Sequence, residues 1–384
     1  MALLQWLRRE AVRSTTLSIV HASGPSFLRQ HIDKCIWSFL RLALRVPRDA
    51  ATLSEAVNSA PEWPPCTILV APGTYDDFLT IQKPVDVQSE VLHGAVLTCS
   101  TKQIPIIFAT DSCIPASLQG FRVESKFTCI RIEQGNPIVT KCHITSSHNH
   151  AVSVSGKANP TISDNKLEAS GKITAVAFRG EARGSLIGNK VTGKLGHGIL
   201  VAENAAPCVS GNELRRHRKA SIAVMQYAKP DIRFNRFEDN ADYGIVVCND
   251  ASPTLESNYI TGQKLPAIAF RDHATGFVGH NQLERNQGYG IVVDQEAQPV
   301  IENNTVRAHS MPGISVQGKS KPILRGNVLT QNEGVGIAVT SFADPLVEGN
   351  VLRYNKRKAS ASIDITHLCT SHEEEKTDGE SPSE

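Results

Sequence analysis

Arg271, Asp272 and Asp294 are the residues of this 384-residue chain whose spacing best suits shared chemistry. A guanidinium can neutralise an acid group while a carboxylate moves a proton, the division of labour of acid–base catalysis. Asp294 follows Arg271 by 23 residues, an interval that recurs along the whole sequence. Glycoside hydrolysis needs two carboxylates across one groove. The row Ser153, Ala177, Leu200, Ala223, Val246, Ala269, Val292, Ser315, Ala338 supplies none. An exposed ion pair, worth about 0–1 kcal/mol, is therefore the default expectation for Arg271 and Asp294. His148 and His150 offer two metal ligands without a third, so neither a metal site nor a cofactor is expected.

The elements that position these residues form a repeat. Asn165, Asn189, Asn212, Asn235, Asn258, Asn281, Asn304, Asn327 and Asn350 are separated by one gap of 24 residues and then by gaps of 23. Prolines keep the same beat from Pro137 to Pro345, with Gly184 and Gly276 in two slots. So do the β-branched blocks Gly198–Val201, Gly244–Val247 and Gly290–Val293, and the apolar column Leu167 to Leu352. Each unit thus holds three short strand segments separated by turns. Such segments are stable only when each pairs with its copy one coil away, at about 4.8 Å. The asparagines are expected at a tight corner, in the left-handed conformation, with stacked amides. A parallel β-solenoid follows, and Ala177, Leu200, Ala223, Val246, Ala269 and Val292 become an outward apolar stripe.

This pattern resembles the right-handed parallel β-helix repeats of the carbohydrate-binding and sugar-hydrolase (CASH) type. The resemblance covers roughly residues 50–366 and implies an all-β fold with an N-terminal cap. Ala51–Ala60 looks like the capping helix, and Cys66–Asp76 and Leu79–Val87 look like the first coil. The same family hosts enzymes and binding scaffolds, so the fold alone does not choose. Gly196-His197-Gly198 resembles a polygalacturonase fragment, without that family's paired aspartates. Gly262 and Ala267–Arg271 resemble a pectin methylesterase segment, with Pro266 where that family has glutamine. Among intracellular relatives the chain looks most like the β-helix part of F-box substrate adaptors and SHC-binding proteins.

Composition sets outer bounds. A net charge of +2 gives no global signal for nucleic acid, and no apolar run approaches the ~20 residues of a membrane span. Nine cysteines without metal-type spacing read as thiols of a reducing compartment. Residues 1–50 form a basic, helical extension, read as a cap or a mitochondrial presequence; residues 51–366 form the β-helix; residues 367–384 form an acidic, disordered tail. Only 5% of the chain is aromatic, and Trp6, Trp37 and Trp63 all precede the regular coils, which removes the stacking surface a polymer-binding groove uses. The expected function is a non-enzymatic scaffold, an adaptor or subunit of a larger complex, that binds protein partners through the stripe in the cytoplasm or mitochondrion. The alternative is a polysaccharide-active lyase, hydrolase or epimerase working through Arg271, Asp294 and Asp272.

Overall fold

Segments of three residues that alternate inward and outward cannot stand alone, and here they stack. The computed structural model describes residues 42–62, 65–100, 103–110, 114–340 and 342–356. Three parallel sheets of 14, 13 and 12 strands run the length of the solenoid. Each coil visits the first sheet after its proline, the second after its asparagine, and the third at its Gly-Ile-x-Val block. The third sheet aligns Ile245 with Ile268, Val246 with Ala269 and Val247 with Phe270, and the next coils repeat this register. The one 24-residue interval places its extra residue between the second and third sheets, because Asn165 to Ala175 is one residue longer than Asn189 to Gly198.

The core follows from the pleat. Strands of the first two sheets turn one residue inward, as Ile232 and Phe237 do, while those of the third turn two, as Ile245 and Val247 do; all four are fully buried. The core is one continuous apolar column. At its N-terminal end the helix Leu53–Ser59 buries Leu53, Ala56 and Val57. Its start is a capping arrangement in which the Glu55 N–H donates to the Thr52 hydroxyl (3.1 Å) and the Ala51 N–H donates to the Glu55 carboxylate (2.9 Å).

Two expectations change here. Leu42–Val46 is not helical: it is the outermost strand of the first sheet, paired with Cys66–Val70, because its alternating side chains complete that sheet's edge. The asparagines do not carry the left-handed conformation. The residue before each one does, as at Phe234 (φ 55°), Ser257 (φ 54°) and His280 (φ 56°). The remainder of the expected basic extension, residues 1–41, the acidic tail and Trp63 lie outside the described residues.

The asparagine corner is a ladder. The backbone N–H of Asn235 donates to the side-chain oxygen of Asn258 (3.0 Å), and so does its side-chain amide (3.1 Å). That amide also donates to the Val209 carbonyl (2.8 Å). The pattern runs from Asn165 to Asn350 with every member buried. On the outer faces, charges pair between coils: Arg233 with Glu256 (2.9 Å), Arg215 with Glu238 (2.5 Å) and Arg325 with both Glu302 (2.9 Å) and Glu348 (2.8 Å).

Candidate functional site

The outer face of the third sheet carries Arg271 and Asp294. Register places Arg271 just past Phe270 and Asp294 just past Val293, on adjacent coils. The expected ion pair between them does not form. The Arg271 guanidinium instead donates to the Tyr243 hydroxyl and lies 5.1 Å from the centre of that ring, which draws it along the sheet away from Asp294. Asp294 accepts the Gln295 N–H (2.7 Å) with one oxygen. Neither residue has an ion-pair partner among the described residues. Both are half-buried, so each charge is partly shielded from water and open to a ligand.

Asp272 has a different task. It sits at the turn between the third and first sheets with φ 58°, a conformation unfavourable for a side-chain-bearing residue. Its carboxylate accepts the backbone N–H (2.7 Å) and side-chain amide (3.1 Å) of Asn249 one coil back. Its own N–H donates to the Gln295 side chain (2.6 Å). Glu203, Gln226, Asn249, Asp272 and Gln295 form this external ladder, each with positive φ. The 23-residue spacing of these polar residues was the available signal.

The apolar stripe lies where the spacing placed it. Ala177, Ala223 and Ala269 are nevertheless wholly covered, because an alanine between larger neighbours on both adjacent coils sits below their surface. Val246 and Val292 are also buried, at 7% and 8% exposure, so the partly exposed part of the stripe is Leu200 with half-buried Tyr243 and Tyr289, the tyrosines two coils apart. These tyrosines correct the expectation that the coils lack aromatic surface: composition counted the rings, while the fold gathers two beside one stripe. Toward the N-terminus the same face turns polar. The His150 ring bonds the Thr174 carbonyl through Nδ1 (2.7 Å), and burial pushes its pKa down, so the imidazole is neutral at pH 7. His197 is likewise depressed by burial and by Lys219.

A separate cleft of about 600 Å3 opens on the second sheet near its first strands, lined in part by Asp76, Glu124, Lys126 and Phe127. It had no signature in the repeat, because it lies on the coils before the asparagine series begins. No helix among the described residues is long and apolar enough to cross a membrane.

The fold is shared with solved structures. The catalytic unit of a thermostable GH87 α-1,3-glucanase from Streptomyces thermodiastaticus aligns with a TM-score of 0.58 at 11% identity, over 82% of this chain and 66% of that one. A variant of the periplasmic alginate epimerase AlgG aligns with a TM-score of 0.53 at 15% identity, over 86% of this chain and 82% of that one. Curated protein sequences give no match. The expected non-enzymatic, protein-binding scaffold is thereby corrected: the fold is shared with a glucanase and an epimerase. The charges of Arg271 and Asp294 are not consumed in a pair, and aromatic surface is present. Nothing in these likenesses supports an F-box or SHC-binding adaptor, or a cytoplasmic or mitochondrial setting. A family model described as "right handed beta helix region" matches residues 106–275 and 209–352, more than half of the sequence, and the chain belongs to that family.

Proposed function

We propose that the chain is a polysaccharide-active enzyme working on the outer face of its third sheet, of the lyase or epimerase type. The observation that carries this reading is the pair of opposite charges without ion-pair partners, Arg271 and Asp294, on adjacent coils beside an aromatic surface. A sugar polymer laid along the solenoid axis meets Leu200, Tyr243 and Tyr289 with the apolar faces of its rings. In a uronate, Arg271 bonds the carboxylate and stabilises the charge that develops when the neighbouring carbon loses its proton. The Asp294 carboxylate takes that proton. The carbanion then either expels the glycosidic oxygen, which takes a proton from water and leaves an unsaturated end, or takes a proton from water on the opposite side, giving the epimer; in both cases Asp294 returns its proton to solvent. Hydrolysis is the weaker fit, since the row beside Asp294 offers no second carboxylate. Asp272, held in the external ladder, has no part in proton transfer.

The test is a panel of alginate, pectate and neutral glucans incubated with wild type and Asp294→Asn. Product is followed by absorbance of unsaturated ends and by NMR. Turnover of a uronate polymer that falls at least a hundredfold in the variant, at unchanged melting temperature, is the expected result. A wild-type protein that neither binds nor converts any member of the panel sinks the reading.

A further inference from the structure

The cleft on the second sheet lies on a different face from Arg271 and Asp294 and spans four coils. Register stacks Asp76, Thr98, Glu124 and Thr145 in one outward column, one residue per coil. Lys126 and Phe127 rise beside that column on the turn leading toward the third sheet. This turn is pinned. The Phe127 N–H donates to the Ser125 hydroxyl (3.0 Å), the Ser146 hydroxyl donates to the Phe127 carbonyl (2.8 Å), and the His148 N–H donates to the Lys126 carbonyl (3.2 Å). The backbone that carries both side chains is thus fixed before a ligand arrives.

The polar groups here fall into two kinds. Asp76 is anchored by the Ser100 N–H (2.7 Å) and hydroxyl (2.5 Å), which hold its carboxyl below the usual carboxylate range. Glu124 pairs with Arg122 through one oxygen (2.5 Å). Lys126 has no ion-pair partner among the described residues. The cleft therefore offers an aromatic ring, a donor cation, two carboxylate acceptors and threonine hydroxyls, within the usual range of ligand-site volumes, about 300–1,000 Å3. A pyranose has this complementary character, with one apolar face and a rim of hydroxyls that donate to carboxylates. An acidic sugar does not suit it, because Asp76 and Glu124 would face its carboxylate.

We propose that this cleft is an accessory binding site for neutral glycan chains, with Phe127 stacking on a sugar ring and Glu124 and Lys126 bonding its hydroxyls. It rests on the reading of the chain as polysaccharide-active, yet it needs neither Arg271 nor Asp294. The test uses the full chain with two neutral probes, cellohexaose and maltohexaose, and hexagalacturonate as the acidic probe, with Kd measured by NMR titration. Binding of at least one neutral hexamer is expected, at least tenfold weaker in both Phe127→Ala and Glu124→Gln and unchanged in Asp294→Asn. Absence of neutral-hexamer binding to wild type, equal binding by both cleft variants, or loss in Asp294→Asn alone overturns it. Failure of the catalytic reading appears separately, as lack of turnover with hexamer binding intact.

Discussion

Two corners of each coil carry buried polar ladders, and they differ in how strictly they are written. Between the first and second sheets the corner is asparagine in nine successive coils. Between the second and third it reads His217, Asn240, Gln263, Asn286, His309, Asn332 and Asn355, all buried except the last. The bonds are alike. The His217 N–H donates to Asn240 (3.0 Å), that of Gln263 to Asn286 (2.8 Å), that of Asn286 to the Nδ1 of His309 (3.3 Å), and that of His309 to Asn332 (3.0 Å). The Nδ1 of His309 accepts as an asparagine oxygen does, whereas that of His217 is left buried without a partner. Glutamine is one methylene too long. Its amide folds back to the Thr261 carbonyl (2.6 Å), and its oxygen is left buried without a partner.

The comparison can be broken hardest at the strict corner. Asn258→Leu removes the acceptor of the Asn235 N–H and amide and the donor to the Ile232 carbonyl (2.8 Å), leaving buried groups unpaired. A loss of about 4 kcal/mol is expected in urea unfolding, and equal stability of variant and wild type would refute the ladder's role.

The mixed corner should confer pH sensitivity that the strict corner lacks. Burial pushes His217 and His309 down to about 4 from 6.5. A folded-state pKa below the unfolded one means that the unfolded chain binds the proton first as pH falls. Stability is thus full above pH 6.5 and declines between 6.5 and about 4, by up to roughly 3 kcal/mol per histidine. Unfolding measured at pH 7 and pH 4.5 should show the decline, and His309→Asn should reduce it by one proton's worth of slope. A profile unchanged by that substitution contradicts the assignment.

A smaller effect sharpens the comparison from the other side. Gln263→Asn shortens the misfit and offers an acceptor to the Asn240 N–H, so thermal unfolding should show a gain of about 1 kcal/mol. Smallest of all is Arg325→Ala, where the pair with Glu302 and Glu348 is solvent-exposed and screened. Its melting temperature should match wild type within error.

These differences explain what could be read before the structure. The solenoid, its period and its N-terminal cap were legible because they depend on residue types that repeat: asparagine at one corner, proline before one sheet, Ile and Val inside. The second ladder was obscured because residues of unlike type share one geometry. Asp272 was legible by position and misleading in role, since a carboxylate that accepts from Asn249 looks in sequence like a free one. The turn of Arg271 onto Tyr243 depends on a side-chain conformation that spacing does not specify. The cleft around Phe127 lies on the irregular first coils, where no column existed to extend.

The corners bond their polar groups coil to coil, whereas Arg271 and Asp294 on the outer face of the third sheet have no ion-pair partner among the described residues; that contrast is the ground for assigning chemistry to them. The most direct measurement is NMR of a uronate polymer incubated with the protein in D2O. Deuterium at the carbon next to the carboxylate, or an unsaturated end where that carbon has lost its proton, abolished in Asp294→Asn, is the predicted result. A polymer recovered uncleaved and without deuterium after incubation with wild type would contradict proton abstraction on this face.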